Sequence, residues 1–215
     1  MKKINNAWAY LILKNDYQDK CFFLHSDKKA LINNDLTWIK NYIYEHRDEI
    51  EEYKIYLNGK NCGYSLLNYL DLDVRIEPGA IIREGVILNK GAIVLMNATI
   101  NIGAVIGSNT MIDMGAVIGS NAEIGSNCHI GANAVIAGNM EPYSDRKVII
   151  EDDCFIGANS VVLSGVKIGK GSIIGALTLV NEDVPENSVV YGIPGKIRQS
   201  NTAKDKCKLN ENLRK

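Results

Sequence analysis

One aliphatic residue returns every six positions between Ile76 and Val180, and this period constrains the fold more than any other feature of the 215-residue chain. Seventeen positions of the series hold Ile, Leu or Val, and its phase is interrupted once, between Ile136 and Ile150. A fixed short period indicates one small unit stacked on copies of itself rather than a globule with mixed contacts. The series is Ile76, Ile82, Leu88, Val94, Ile100, Ile106, Ile112, Ile118, Ile124, Ile130, Ile136, Ile150, Ile156, Val162, Ile168, Ile174 and Val180.

Period six fits one short strand followed by a corner, so three hexads close a triangular coil of 18 residues. Stacked coils pair their strands in parallel, with a rise of about 4.8 Å per coil. The aliphatic residue then points inward, and the second inward position must be small, as at Ala80, Ala98, Ala116 and Ala134. Gly and Asn at the corners tolerate positive φ. An ordinary amphipathic strand series would show period two instead, so the sequence predicts a parallel β-helix.

The segments outside the hexads divide the chain further. Residues 1–73 are predicted to form a small N-terminal α/β domain that caps the open first coil. Residues 74–198 form the β-helix domain, and residues 199–215 form a C-terminal tail in which 204–215 are a short helix or a frayed end. Because Ile136 and Ile150 are 14 residues apart rather than six, residues 138–147 must leave the coil as a loop. Loops on rigid scaffolds commonly carry binding function.

Local patterns predict the elements of the two ends. In the N-terminal domain we expect short strands at 7–13, 21–25 and 28–32. Asp35 is expected to cap a helix that runs from residue 36 to about residue 53, and a second short helix is expected at 64–70. After the last hexad, residues 189–197 are predicted as an extended segment with a turn at Pro194 and Gly195.

Composition excludes several partners. The net charge of −1 argues against a nucleic-acid partner. No run of 18 apolar residues and no N-terminal leader is present, so we expect neither membrane association nor export. Five cysteines without CxxC spacing favour a reducing cytoplasm, and Cys128 and Cys154 are predicted to be inward packing residues. Since His129 is the one histidine of the repeats, no metal is expected.

Four segments resemble a known family beyond the generic hexads. They are "RIEPGAIIRE" from Arg75, "NIGAVIGSNTMIDM" from Asn101, "NCHIGANAVIAG" from Asn127 and "EPYSDRKVIIEDDCFIGANSVVLSGV" from Glu141. They are similar to the tetrahydrodipicolinate N-acetyltransferases of bacterial lysine synthesis, which belong to the left-handed β-helix acyltransferases. The resemblance spans residues 70–198. It implies a left-handed coil, a homotrimer with sites between subunits, acetyl-CoA as co-substrate and a small-molecule acceptor of the diaminopimelate pathway.

The succinyl-transferring relatives share two of these positions and differ at two others. Their motif aspartate matches Asp113, and an arginine before their first hexads matches Arg75. They have a glutamate where this chain has Val161 and an arginine where it has Asn159. The resemblance therefore favours the acetyl branch and leaves the second carboxylate of the substrate without an obvious anchor.

Amine acylation by a thioester needs a base for the amine proton and donors for the oxyanion. Asp113 directly follows inward Ile112, at a position where many hexads carry Gly, and His129 precedes Ile130, which stacks one coil above Ile112. His129 and Asp113 are therefore predicted to lie at one edge, one coil apart. Glu141, at the base of the loop, is the third candidate for the base, and a plain surface charge is its alternative reading.

Two arginines are candidates for binding the substrate carboxylates. Arg75 shares the 18-residue column of His129, three coils below it and about 14 Å away. A surface salt bridge to Glu77 or Asp73 is the alternative reading of Arg75. Arg83 is the second candidate.

The candidates for CoA contacts follow from the resemblance. It implies that backbone groups of Gly157, Gly175 and Ala176 hold the pantetheine arm, and that Lys196 and Arg198 meet the phosphates. Judged on sequence alone, Lys and Arg near a terminus are usually solvated charges.

Other functions of this scaffold remain open at this point. An acetyltransferase for an amino sugar or a specialised-metabolite amine fits the short N-terminal region and the unusual "SIIGALTLVNED" segment from Ser172. A zinc carbonic anhydrase would need several convergent histidines. A non-enzymatic scaffold would favour flat faces of Thr or Ser, whereas this chain has a loop and the irregular residues Asp113, His129 and Glu141.

Overall fold

The computed structural model describes residues 6–15, 19, 22, 24–26, 28–57 and 63–200. Its internal contacts divide the chain into two compact units, Met1–Ser65 and Leu66–Lys215. Residues 66–73, which the sequence analysis assigns to the N-terminal domain, belong to the second unit. The predicted helix or frayed end at 204–215 lies outside the described residues.

The first unit is an antiparallel sheet of four strands in the order β2-β3-β1-β4, with one helix, α1. Alternate residues of β1 are buried together with the inward face of α1, because strand side chains alternate between faces. Asp35 caps α1 as predicted, since its carboxylate accepts the Thr37 N–H at 2.9 Å. The elements are β1 Asn6–Leu13, β2 Leu24–Ser26, β3 Lys29–Asp35, α1 Leu36–Glu45 and β4 Ile50–Leu57.

Two helix predictions for this region are wrong. α1 ends at Glu45 rather than near residue 53, because His46 leaves helical geometry and the chain then forms the edge strand β4. Ile50 fits the helical spacing of the apolar residues, but it pairs with Leu13 and is buried in the core under the sheet. Residues 64–70 form no helix; their backbone is irregular, and the Leu67 N–H donates to the Ile82 carbonyl at 2.8 Å.

The second unit is a parallel β-helix, as predicted. Seventeen two-residue strands, β5 to β21, stack into three parallel sheets. Two further strands extend the first sheet to eight strands, and the other two sheets have six and five strands. The strands are β5 Arg75–Ile76, β6 Ile81–Ile82, β7 Ile87–Leu88, β8 Ile93–Val94, β9 Thr99–Ile100, β10 Val105–Ile106, β11 Met111–Ile112, β12 Val117–Ile118, β13 Glu123–Ile124, β14 His129–Ile130, β15 Val135–Ile136, β16 Ile149–Ile150, β17 Phe155–Ile156, β18 Val161–Val162, β19 Lys167–Ile168, β20 Ile173–Ile174 and β21 Leu179–Val180.

The register of the coils confirms the stacking that the period predicts. Ile112 pairs with Ile130, and Met111 pairs with His129, across β11 and β14. Ile112 and Ile130 are fully buried, and full burial of such a side chain is worth about 1.5–3 kcal/mol. The eight-stranded sheet ends with β22 Ser188–Tyr191, parallel to β20, and β23 Lys196–Ser200, antiparallel to β22. This hairpin is the last extended segment that the sequence predicts.

A column of inward hydroxyl and thiol groups runs beside the eight-stranded sheet. Each donates to the carbonyl of a neighbouring corner: Thr110 to Gly125 at 2.6 Å, Cys128 to Glu151 at 3.1 Å, Cys154 to Gly169 at 3.2 Å and Ser172 to Pro185 at 2.9 Å. The Cys128 thiol and burial together raise the pKa of the Cys154 thiol, so Cys154 stays protonated. Cys128 and Cys154 are both buried, as predicted for inward packing residues. Among the described residues, no helix is long and apolar enough to cross a membrane.

Candidate active site

Asp113 lies at the corner where the chain passes from the eight-stranded to the six-stranded sheet. We call this edge the Asp113 corner, formed by residues 77–79, 95–97, 113–115, 131–133, 157–159 and 175–177. The Asp113 N–H donates to the Ile130 carbonyl at 2.9 Å, and its Oδ1 accepts the Met114 N–H at 2.7 Å. These bonds fix the backbone and one carboxylate oxygen.

The other carboxylate oxygen faces His129 on the next coil. Asp113 Oδ2 lies 3.7 Å from His129 Nε2, and the two side chains are 20% and 18% exposed. The distance is too long for a hydrogen bond, but catalytic contacts are often long before substrate binds. The structure therefore brings together two of the three candidates for the base.

Phe155 supports His129 from the coil above, and the sequence analysis did not single it out. The two rings stack with centroids 4.9 Å apart and planes inclined by 6°. β14 and β17 pair His129 with Phe155 directly. The signal was available, because removing the eight extra residues of the interruption from the numbering puts Phe155 18 positions after His129. An aromatic ring against one face of the imidazole holds its plane and excludes water from that face.

Arg75 lies three strands below His129 in the same sheet, in the predicted register through Ile93 and Met111. Its Nε lies 3.3 Å from Glu77 Oε1, so the surface ion pair given above as the alternative is present. Exposed pairs of this kind contribute about 0–1 kcal/mol and exchange readily for another carboxylate. The substrate-binding role of Arg75 stays a prediction.

Arg83 lies at a different corner. It follows β6 of the six-stranded sheet, and its Nη1 donates to Asn101 Oδ1 at 3.1 Å. Within one chain, the structure does not bring the two candidate arginines to the same edge.

Glu141 also lies away from Asp113. The 138–147 loop leaves the coil between β15 of the six-stranded sheet and β16 of the five-stranded sheet. We call this edge the loop corner, formed by residues 137–147, 163–165 and 181–183. Glu141 is exposed there, so a single chain does not place it beside His129.

Ion pairs hold the loop against the coils. Arg146 Nη2 donates to both carboxylate oxygens of Asp183, at 2.9 and 3.2 Å, and Lys147 pairs with Glu123. The Lys167 N–H donates to Asp183 Oδ1 at 2.9 Å. This N–H and Arg146 lower the pKa of the Asp183 carboxyl, which therefore stays ionised near neutrality.

Two shallow pockets adjoin the loop corner. One, of about 330 Å³, lies between the loop and the last coils, and Ser144, Arg146 and Asp183 are among its lining residues. The other, of about 250 Å³, lies under the β22–β23 hairpin and includes Lys196 beside Glu182 and Asp183. The carboxylates in the second pocket make it a poor site for phosphate.

The candidates for CoA contacts divide between two places. Gly157, Gly175 and Ala176 lie at the Asp113 corner, on the coils above Asp113. The Gly157 N–H donates to the Ile174 carbonyl at 2.8 Å and its carbonyl accepts the Ser160 hydroxyl at 2.6 Å, while the Gly175 N–H donates to the Val190 carbonyl at 2.8 Å. These backbone groups of the two glycines are therefore already used in hydrogen bonds within the coil. Ala176 is exposed.

Lys196 and Arg198 are exposed on β23. The register of β22 with β23 shifts by one residue at Arg198, so the spacing of two residues does not place both side chains on one face of the strand. In the part of the chain that the structure describes, no group of three or more His, Cys, Asp or Glu residues could hold a metal ion.

The repeats match two family models. Bacterial transferase hexapeptide (six repeats) covers residues 103–138, and hexapeptide repeat of succinyl-transferase covers residues 147–176. Together with the three parallel sheets, these matches define a protein of the hexapeptide-repeat transferase class.

Relatives that match over most of their length identify the family within this class. A 2,3,4,5-tetrahydropyridine-2,6-dicarboxylate N-acetyltransferase of Clostridium perfringens is 50% identical over 179 residues, which cover 82% of this chain and 76% of the relative. The protein of the same name from Enterococcus faecalis is 44% identical over 190 residues, covering 87% and 82%. The chain belongs to this N-acetyltransferase family.

A solved structure is similar in fold to this chain over part of its length. Perosamine N-acetyltransferase of Caulobacter crescentus, crystallised with CoA and GDP-perosamine, superposes with a TM-score of 0.55 at 31% identity. The match covers 60% of this chain and 58% of that one. The relatives by sequence therefore account for more of the chain than this neighbour does.

Proposed function

We propose that this chain transfers an acetyl group from acetyl-CoA to the amino group of tetrahydrodipicolinate in its open, amino-keto-pimelate form. The observation that carries the proposal is the Asp113–His129 pair, a half-buried carboxylate and imidazole 3.7 Å apart at one corner of the coil. The family relatives at 44–50% identity support the acetyl donor and the diacid acceptor. The reaction belongs to the diaminopimelate route to lysine.

The transfer is direct. The amine nitrogen attacks the thioester carbonyl carbon, and the amine proton passes to the base as the C–N bond forms. The tetrahedral oxyanion then collapses, the C–S bond breaks, and the CoA thiolate leaves and takes up a proton. No acyl-enzyme forms, so the protein supplies proton transfer and orientation.

In this scheme His129 accepts the proton and Asp113 stabilises the resulting imidazolium. Nε2 of His129 faces Asp113 Oδ2, so a charge that develops on the ring lies beside a carboxylate. The Phe155 stack keeps the ring plane fixed while the proton moves. Contributions from such general bases are typically about 10²–10⁴-fold in rate.

The site would be completed by neighbouring subunits of a homotrimer. The outward residues of the six-stranded sheet include the exposed Ile81, Val117 and Val135, and Met96 and Met114 are exposed at the adjoining Asp113 corner. Thr99 lies between Ile81 and Val117 in this column, and exposed apolar side chains grouped in this way are typical of a subunit interface. Packing around a threefold axis would let the loop of one subunit bring its Glu141 towards the Asp113 corner of the next.

The remaining candidates have roles within this assembly. Arg75 exchanges Glu77 for one substrate carboxylate, and Arg83 is a second, more distant cation. Ala176, with the corners at Gly157 and Gly175, flanks the pantetheine arm of acetyl-CoA. Lys196 and Arg198 are the proposed phosphate contacts, and Lys196 would meet the phosphates outside the pocket that it shares with Glu182 and Asp183. Buried free cysteines and use of acetyl-CoA support a cytoplasmic location.

An amino sugar is the second candidate acceptor. The Caulobacter neighbour was crystallised with GDP-perosamine, and it shares the coil at 31% identity. Its coverage is smaller than that of the relatives by sequence, so the diacid remains the first choice.

A thiol-release assay separates the two. Acetyl-CoA and succinyl-CoA are supplied in turn with tetrahydrodipicolinate, aminopimelate and a set of amino sugars. Turnover of tetrahydrodipicolinate with acetyl-CoA is expected. Turnover of amino sugars alone would overturn tetrahydrodipicolinate as the acceptor. Thiol release with succinyl-CoA only would overturn acetyl-CoA as the donor.

A further inference from the structure

Leu177 has a backbone conformation that leucine disfavours. It occupies the third position of the highest turn at the Asp113 corner, with φ of 58°. Left-handed geometry brings Cβ too close to the next carbonyl oxygen, so the position normally selects Gly or Asn. The equivalent turns below carry Gly or Asn throughout, at Gly79, Asn97, Gly115, Asn133 and Asn159, and all have positive φ.

Most of the Leu177 side chain lies outside the packing of a single chain. It is 64% exposed, whereas its N–H donates to the Ala158 carbonyl at 3.0 Å as any residue could. Strain of this kind persists mainly where a side chain is needed for a contact. Leucine at this position therefore indicates a contact that a single chain does not contain.

The position of Leu177 relative to Asp113 points to the kind of contact. The two residues lie at the same corner, and Leu177 is three coils higher, about 14 Å along the axis. A pantetheine arm is an extended diamide about as long as four residues, roughly 14 Å. An acetyl group held beside Asp113 therefore brings the pantoate end of the arm to the level of Leu177.

The chemistry of the pantoate unit matches leucine. Its geminal dimethyl group is the bulkiest hydrocarbon part of CoA, and an exposed aliphatic side chain is the natural partner for it. The Tyr191 ring lies so close over Gly175 that a Cβ on this glycine would overlap it. The half-exposed ring thus bounds the corner at the next level.

We propose that Leu177 binds the pantoate dimethyl group of acetyl-CoA and so sets the affinity of this chain for its donor. The inference rests on the proposed acetyl transfer and names one residue of that site. Its strain is then a cost in stability that is offset when the donor binds.

Leu177→Asn tests the proposal, because asparagine restores the residue type of the turns below. The KM for acetyl-CoA is expected to rise about five- to tenfold, since part of one aliphatic contact is lost, with kcat changed less than about twofold. The melting temperature of the free protein is expected to rise by about 2–4 °C as the strain is relieved. Leu163→Asn, at an exposed leucine of the loop corner with ordinary φ, is the matched control and should change neither quantity.

Two outcomes would overturn the proposal, an unchanged KM in Leu177→Asn and an equal change in its control. An unchanged KM in Leu177→Asn would do so whatever happens to the melting temperature. An unchanged KM with a weakened oligomer, measured by light scattering, would make Leu177 a subunit contact. An equal rise in KM for Leu163→Asn would remove the link to the Asp113 corner.

Calorimetric titration of CoA into wild type separates this inference from the proposed function. Wild type that neither binds CoA nor turns over acetyl-CoA would contradict both. Wild type that binds CoA as tightly as Leu177→Asn does would contradict only the role of Leu177.

Discussion

Two edges of the same β-helix handle polar residues in opposite ways. At the Asp113 corner, a carboxylate and an imidazole face each other half-buried, 3.7 Å apart, beside an aromatic ring. At the loop corner, opposite full charges meet in the open, as between Arg146 and Asp183. A proton can move in the first arrangement, because histidine titrates near neutrality. In the second arrangement both partners carry full charges, so we expect the Arg146–Asp183 pair to stabilise the loop rather than to transfer a proton.

Asp113→Asn is expected to have the largest effect on turnover. The substitution removes the charge beside His129 but leaves an amide oxygen that can accept the Met114 N–H, so the corner keeps its geometry. The kcat should fall by about 10² or more. Steady-state kinetics measure the loss, and circular dichroism with light scattering checks fold and assembly. A near-normal rate would reduce Asp113 to a corner residue and end the contrast between the two edges.

The structure of the β-helix could be predicted from the sequence, whereas the structure of the N-terminal unit could be predicted only in part. The reason is physical. In the coil the same packing arrangement recurs every six residues, and Ile130 is one of seventeen equivalent positions that all point to the same inward aliphatic residue. In the first unit each element occurs once. Ile50 satisfies a helical spacing, yet its pairing with Leu13 makes it a strand residue. Tertiary contacts overrode the local pattern there.

The candidate site was predictable to the extent that it follows from coil arithmetic. His129 above Asp113 is a consequence of the 18-residue turn, and Phe155 above His129 could have been found in the same way once the interruption was subtracted. Arg75 fell in the expected column, but its ion pair with Glu77 depends on side-chain reach, which the period does not encode. Glu141 lies on a loop without a repeat, so its distance from the site could not be computed.

Phe155→Leu is expected to have an intermediate effect, because it removes the ring behind the imidazole but keeps an apolar side chain. Aromatic stacking is worth about 0.5–1.5 kcal/mol, so kcat should fall about three- to tenfold. Ile149→Leu, at a half-buried outward position of the five-stranded sheet, is the matched control. Equal losses in both variants would mean that the packing of the coil, and not the support of His129, is being measured.

Asp183→Asn is expected to have the smallest effect, and mainly on stability. The amide oxygen can still accept the Lys167 N–H, so only the charge contact with Arg146 is lost, which costs about 1 kcal/mol or less. Because the folded protein lowers the pKa of Asp183, the stabilisation is complete near pH 7 and is lost as the pH falls through that lowered pKa. The difference in melting temperature between wild type and Asp183→Asn should therefore be present near neutrality and shrink below about pH 4.

Two controls decide what the loop corner contributes. Arg146→Gln should lower the melting temperature by a similar amount, and the double variant should be no worse than either single one, because one ion pair is removed in each case. The kcat should change less than about twofold throughout, since exposed, fully paired charges have no proton to exchange near neutral pH. A loss of turnover comparable to that of Asp113→Asn would contradict this expectation. It would mean that the Arg146–Asp183 ion pair positions a loop residue that reaches the reacting atoms. The loop corner would then belong to the active site of the assembled protein.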